Sequence, residues 1–215
     1  MKIAPKSKLL FIGDSITDCE RARPIGEGLF GAVGKSYVSL VEGFLGAIHP
    51  GHAIRIVNMG TSGHQAPDLK ARWQTDVLDL KPDWVSIMIG VNDVWRQFDL
   101  PRQTELHVSP EVYEKTLDEL AATTRPKVKG LVLMSPFYIE PNCADAMRAR
   151  MDQYGAIMKK VAAKHDALFI DTQAAFDDVL QHMHPNAIAW DRVHPNIIGH
   201  AVIARAFLKA IGVTL

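Results

Sequence analysis

Cysteine, net charge and long apolar runs are what this 215-residue chain has least of, and each shortage removes a class of protein. Two cysteines, Cys19 and Cys143, are too few for a disulfide framework, so the chain reads as a cytoplasmic protein with free thiols. Lysine plus arginine (24) balances aspartate plus glutamate (24), which leaves no overall field to attract nucleic acid or an anionic membrane as a partner. A bilayer span needs about 20 consecutive apolar residues, and none is present. Leu9-Leu10-Phe11-Ile12, behind Lys2, Lys6 and Lys8, is far shorter than a secretory h-region and runs into Gly13-Asp14, so it reads as a buried strand. Absent too is any Ser/Gly-rich linker or break in composition, and a single domain over residues 1–215 is the expectation.

What is present has the rhythm of an α/β fold. Short apolar runs at Lys8 to Ile12, Ile54 to Asn58, Trp84 to Ile89, Gly130 to Met134 and Leu168 to Ile170 read as strands. Most are apolar throughout, as strands buried on both faces must be. Helical patterns fill the gaps, at about 36–48, 67–80, 110–124, 144–164, 172–180 and 197–211. Strands alternating with helices of this length imply parallel pairing and a three-layer α/β/α sandwich around a five-stranded sheet. In such open sheets ligands bind beyond the carboxyl ends of the strands, where the loops converge. Gly13 to Thr17, Met59 to His64 and Gly90 to Asp93 follow strand ends, and Asp191 to His194 lies in a late loop.

Those segments carry the residue types of acyl transfer. Ser15 sits in a small-residue turn at the end of the first strand, and a serine hydroxyl needs a neighbouring base to attack an acyl carbon near neutral pH. His194 is the candidate base. A carboxylate on its second ring nitrogen fixes the tautomer and stabilises the imidazolium that develops, and Asp191 is the candidate for that role. Pro195 holds the backbone of His194 extended and shapes the entry to the last helix. Donors for the tetrahedral oxyanion come from the backbone N–H of Ser15, from Gly60 in Asn58-Met59-Gly60-Thr61-Ser62-Gly63, and from the side-chain amide of Asn92.

Four blocks in this order, Gly13-Asp14-Ser15-Ile16, the Gly60 turn, Gly90-Val91-Asn92-Asp93 and Asp191-Arg192-Val193-His194-Pro195, resemble the conserved blocks of the GDSL/SGNH hydrolase superfamily. The resemblance covers the chain nearly end to end. It implies the flavodoxin-like SGNH fold, Ser15 as nucleophile, Gly60 and Asn92 as oxyanion donors, and Asp191 with His194 completing the triad, with no cofactor. The wider context of Phe11 to Arg23, Lys70-Ala71-Arg72-Trp73, Lys81 to Phe98, Ser135 to Glu140 and Ala189 to His194 looks like intracellular bacterial acetylxylan esterases. That narrower likeness implies removal of acetyl groups from xylo-oligosaccharides by a homo-oligomer. A lysophospholipase or acyl thioesterase of the same superfamily is the alternative, with a carbohydrate acetyltransferase or a noncatalytic ligand-binding module further off.

Supporting roles are expected for Asp14 and Asp93, each bonding nearby backbone. Trp190 and Trp95 can offer flat faces to a sugar ring, and His64 is placed to line the pocket. His182 and His184 match no zinc spacing, and no metal is expected. Residues 96–108, with Pro101 and mixed charge, read as a long loop after a chemically loaded block.

Overall fold

In the computed structural model, which describes residues 1–214, five parallel strands form one sheet: β1 (Lys8–Gly13), β2 (Arg55–Asn58), β3 (Trp84–Met88), β4 (Gly130–Met134) and β5 (Leu168–Ile170). Leu215, which the expected domain includes, lies outside the described residues. The order is β2-β1-β3-β4-β5. β1, β3 and β4 have neighbours on both sides, and every residue of β3 and β4 is buried, which is why their sequences show no polar alternation.

The chain steps outward from β1 to β2, then reverses across β1 to β3, so the crossover helices change faces there. Helix α2 (Tyr37–Ile48) packs on α8 (Ile197–Ala210), which also contacts α7 (Thr172–Leu180). On the other face α3 (Ala66–Ala71) packs on α5 (Pro110–Thr124), and α5 on α6 (Ala146–Lys164). The cleft where the order reverses lies beyond the carboxyl ends of β1 and β3, the ligand position for an open α/β sheet.

Side-chain caps fix where the long helices begin. Ser36, Ser109, Asp145, Asp171 and Asn196 each accept from a backbone N–H of the first turn, contacts worth about 1 kcal/mol apiece. These caps sit one residue before each observed start.

Three elements depart from the expected pattern. The turn after β1 is itself a short helix, α1 (Ser15–Asp18), and residues 96–99, expected to open a long loop running to 108, instead end a helix, α4 (Val91–Asp99). Val91 and Val94 are buried and Trp95 packs against the core, so this short helix has an apolar face that its Arg, Gln and Asp residues obscure in sequence. The helix expected at 67–80 is α only to Ala71. It continues through Trp73 into a π-helical turn, Gln74–Leu78, a distortion that often marks functional ground. The structural reason is visible at Arg72 and Trp73. The Trp73 indole donates to Thr124 Oγ1 at 3.0 Å, while Arg72 reaches the main-chain oxygens of Met59 at 2.8 Å and Gly13 at 3.4 Å.

Candidate active site

β1 delivers Ser15 by way of a tightly bonded turn. Asp14 is extended and caps α1: its carboxylate accepts from Ile16 N–H at 3.0 Å, and its main-chain oxygen accepts from Asp18 N–H at 2.9 Å. Ser15 thereby becomes the first residue of α1, and its own N–H has no partner among the described residues. Asp14 is 1 % exposed. Burial pushes its carboxyl up to about 7, against the pull of the Ile16 N–H and the charge of His194.

The partner side chains come from the loop before α8. Asp191 uses one carboxylate oxygen to accept the N–H groups of Val193 (3.0 Å) and His194 (2.8 Å), and its other oxygen lies 2.6 Å from His194 Nδ1. That last contact assigns the proton to Nδ1 and leaves Nε2 as an acceptor. Nε2 is 3.0 Å from Ser15 Oγ, across 179 residues of sequence. Burial raises the Asp191 carboxyl, but the bonds from His194 and Val193 outweigh it and hold the group below the usual carboxylate range. Arg192, between the two, has φ +62°, a left-handed conformation uncommon outside glycine. Its side chain pairs with the buried Glu140 and its carbonyl accepts from Ile139 N–H at 2.9 Å, so both ends of the strained residue are tied to the segment after β4.

Asn92 lies in the first turn of α4, buried, with Nδ2 donating to the His64 carbonyl at 3.0 Å. One hydrogen of that amide remains for a ligand. Asp93, beside it, accepts from Ala66 N–H at 2.9 Å and ties α4 to the start of α3. Its second carboxylate oxygen is buried without a partner, and burial pushes this carboxyl, like that of Asp14, up to about 7.

Gly60 does not stand where the sequence suggested. Its N–H, the one backbone group that could meet an oxyanion, donates to Asn58 Oδ1 at 2.8 Å, and its carbonyl accepts from Arg21 Nε at 2.7 Å. Glycine is needed here for a different reason: a Cβ would fall 2.3 Å from Asp18 N, inside the backbone of α1. Gly63, three residues on, is exposed, adopts φ +80°, and its N–H has no partner among the described residues; the next residue, His64, is the one bonded to Asn92.

The remaining expectations divide. Trp95 lies against His194, the ring centroids 5.6 Å apart at 64°, an edge-on contact. Trp190, next to Asp191, is 84 % exposed. His64 turns its Nδ1 to Arg72 Nε at 3.1 Å; burial and then the arginine charge lower its affinity for a proton. Arg72 and Arg21 carried no signal of their own in the sequence. Their importance lies in main-chain carbonyls: Arg21, 6 % exposed, bonds those of its neighbours Ala22 and Pro24 and that of Gly60, which the fold brings within reach. Among the described residues no group of three or more His, Cys, Asp or Glu side chains could share a metal ion, and His182 and His184 are both exposed. No described helix is long and apolar enough to cross a membrane.

A shared serine, imidazole and carboxylate flanked by unengaged N–H donors has parallels among known proteins. Residues 11–202 match the model of the GDSL-like lipase/acylhydrolase family. An acetylxylan esterase from Geobacillus stearothermophilus is 59% identical over 212 residues, covering 99% of this chain and 97% of its own length. The crystal structure of that esterase, Axe2, superposes with a TM-score of 0.99 over 100% of this chain and 98% of the other, at 59% identity. LAE5, described as an alpha/beta hydrolase enzyme from the metagenome of Lake Arreo, Spain, has a TM-score of 0.97 at 59% identity, covering 99% of this chain and 98% of its own.

Proposed function

The chain belongs to the GDSL-like lipase/acylhydrolase family, and on that premise we propose that it is a serine esterase removing acetyl groups from xylo-oligosaccharides through an acetyl-enzyme on Ser15. The observation that carries this reading is the unbroken relay from Ser15 Oγ to His194 Nε2 (3.0 Å) and from His194 Nδ1 to Asp191 (2.6 Å). His194 takes the serine proton as Oγ bonds to the acetyl carbon, and Asp191 stabilises the imidazolium so formed. The oxyanion is met by the free hydrogen of Asn92 Nδ2 and by the N–H groups of Ser15 and Gly63, donors whose positions are set before the reaction begins. Collapse expels the sugar hydroxyl, which leaves with the proton from His194. A water molecule, deprotonated by the same imidazole, then attacks the acetyl carbon and releases acetate.

The choice of substrate rests on the named activity of the Geobacillus relative at 59% identity. Large apolar side chains exposed at Trp190 (84 %), Leu29 (80 %) and Phe30 (103 %) support a homo-oligomer, since an interface would remove them from water. The free thiols of Cys19 and Cys143 support a cytoplasmic setting for what we take to be a single domain.

Two measurements test the reading. A fluorophosphonate should label the chain at Ser15 and nowhere else; labelling that survives Ser15→Ala removes the assignment. On a panel of acetylated xylo-oligosaccharides and acyl esters, acetyl groups should be lost fastest. Faster turnover of octanoyl esters would move the substrate to a lipid or thioester, and partition of acetyl to an added sugar acceptor would make the enzyme a transferase.

A further inference from the structure

Asn92 can serve an oxyanion only through its nitrogen, so its amide must be held one way round. Arg96, one helical turn later on α4, places Nη2 3.2 Å from Asn92 Oδ1. A guanidinium has hydrogens to give and no lone pair to offer, so only the amide oxygen can face it. Nδ2 is thereby turned the other way, where the His64 carbonyl takes one hydrogen and the second is left for the reacting carbonyl. The adjacent cation also polarises the amide and strengthens it as a donor.

Arg96 is itself fixed from two sides. Asp99 pairs with its Nη1, and its guanidinium carbon lies 4.8 Å from the centroid of the Trp95 ring. The same Trp95 ring meets His194 edge-on. One cation therefore contacts both the Asn92 amide and the ring that lies against His194. The ordinary alternative is a surface pair with Asp99 on a short helix that contributes nothing to turnover.

We propose that Arg96 is a positioning residue of the hydrolysis, holding the Asn92 amide in its donating orientation. The proposal rests on the esterase reading above. It assigns Arg96 an effect on kcat that passes through Asn92, and little effect on KM, because the interaction it prepares is made in the transition state.

A double-mutant cycle on the full chain, read with an aryl acetate, separates the two roles. Arg96→Met keeps the stem over Trp95 and loses the donors; kcat should fall about tenfold with KM within about twofold. Arg96→Lys, retaining the charge and a donor, should recover kcat to within about threefold of the parent. Asn92→Ala should cost on the order of 10²–10³ in kcat, and adding Arg96→Met to it should cost less than about twofold more. An equal factor in both backgrounds, or parent-like kcat in Arg96→Met, overturns the proposal and leaves a helix-surface pair. If Arg96→Met does not fold, Arg96→Gln completes the same cycle, and the same outcomes support or overturn the role. Full activity in Asn92→Ala would instead remove the oxyanion assignment on which this rests, a failure visible without any change at Arg96.

Discussion

The serine end and the histidine end of the relay are held by different physics. Ser15 follows a strand paired on both sides, in a turn where Asp14, Thr17 and Asp18 are all 3 % exposed or less. The His194 side chain is 44 % exposed, and its geometry is set by Asp191 three residues earlier, through two main-chain bonds and one to the ring. The sheet positions Ser15 over long range; a local loop positions His194. Substitutions buried under the first should cost stability and activity together, whereas substitutions in the second should cost activity alone.

The largest test of that contrast removes the reacting groups. Ser15→Ala and His194→Ala should each lower kcat by about 10⁴-fold or more, and together no further, since the two act as a unit. Thermal melting should stay within a degree or two of the parent for His194→Ala, because its side chain is exposed and packs on no core element beyond the edge of Trp95. A melting point lowered as much as by a core substitution would break the contrast.

Gly60→Ala probes the buried side. The added methyl would meet the Asp18 and Thr17 backbone at 2.3 and 2.7 Å, so α1 must shift. Overpacking of this kind costs about 1–3 kcal/mol, or roughly 2–4 °C of melting temperature per kcal/mol in a chain of this size. Turnover should fall with it as Ser15 moves. Normal melting with normal turnover would mean that the backbone contact is not restrictive.

The smallest effect is a slope. Asp93 has its carboxyl raised to about 7 by burial, against an ordinary value of 3.8. Between those values the folded chain keeps a proton that the unfolded chain releases, so this stabilising contribution is full below about pH 4 and is lost as pH rises through 7. Asp93→Asn keeps an oxygen for the Ala66 N–H and cannot ionise. Its melting temperature should therefore decline less steeply than the parent's between pH 5 and 8, and parallel curves would show that Asp93 is ionised throughout.

The core of this design was readable in advance. Each expected strand lies within a residue of an observed one, since burial on both faces leaves an unbroken apolar run that has few other uses. The four blocks were found at the carboxyl side of the sheet because their glycines, Ser15, Asn92 and His194 are chemically conspicuous. What escaped were features decided by through-space contacts. Two glycines share the loop after β2, and only coordinates reveal that Asn58 occupies the N–H of Gly60 and leaves that of Gly63 unengaged. Helix α4 was hidden because charged and polar residues interrupt its apolar ones and Pro101 follows soon after its end. Arg96 looked like loop charge for the same reason, although its partner Asn92 is only four residues away.

Because Asp191 and His194 come preassembled, a single gap of 3.0 Å, from Ser15 Oγ to His194 Nε2, joins parts of the machinery that are remote along the chain. That gap works as a strain gauge. Mild denaturant that frays the segment ahead of α8 will open it while the strands stay paired, so turnover fades before circular dichroism does and returns at once on dilution.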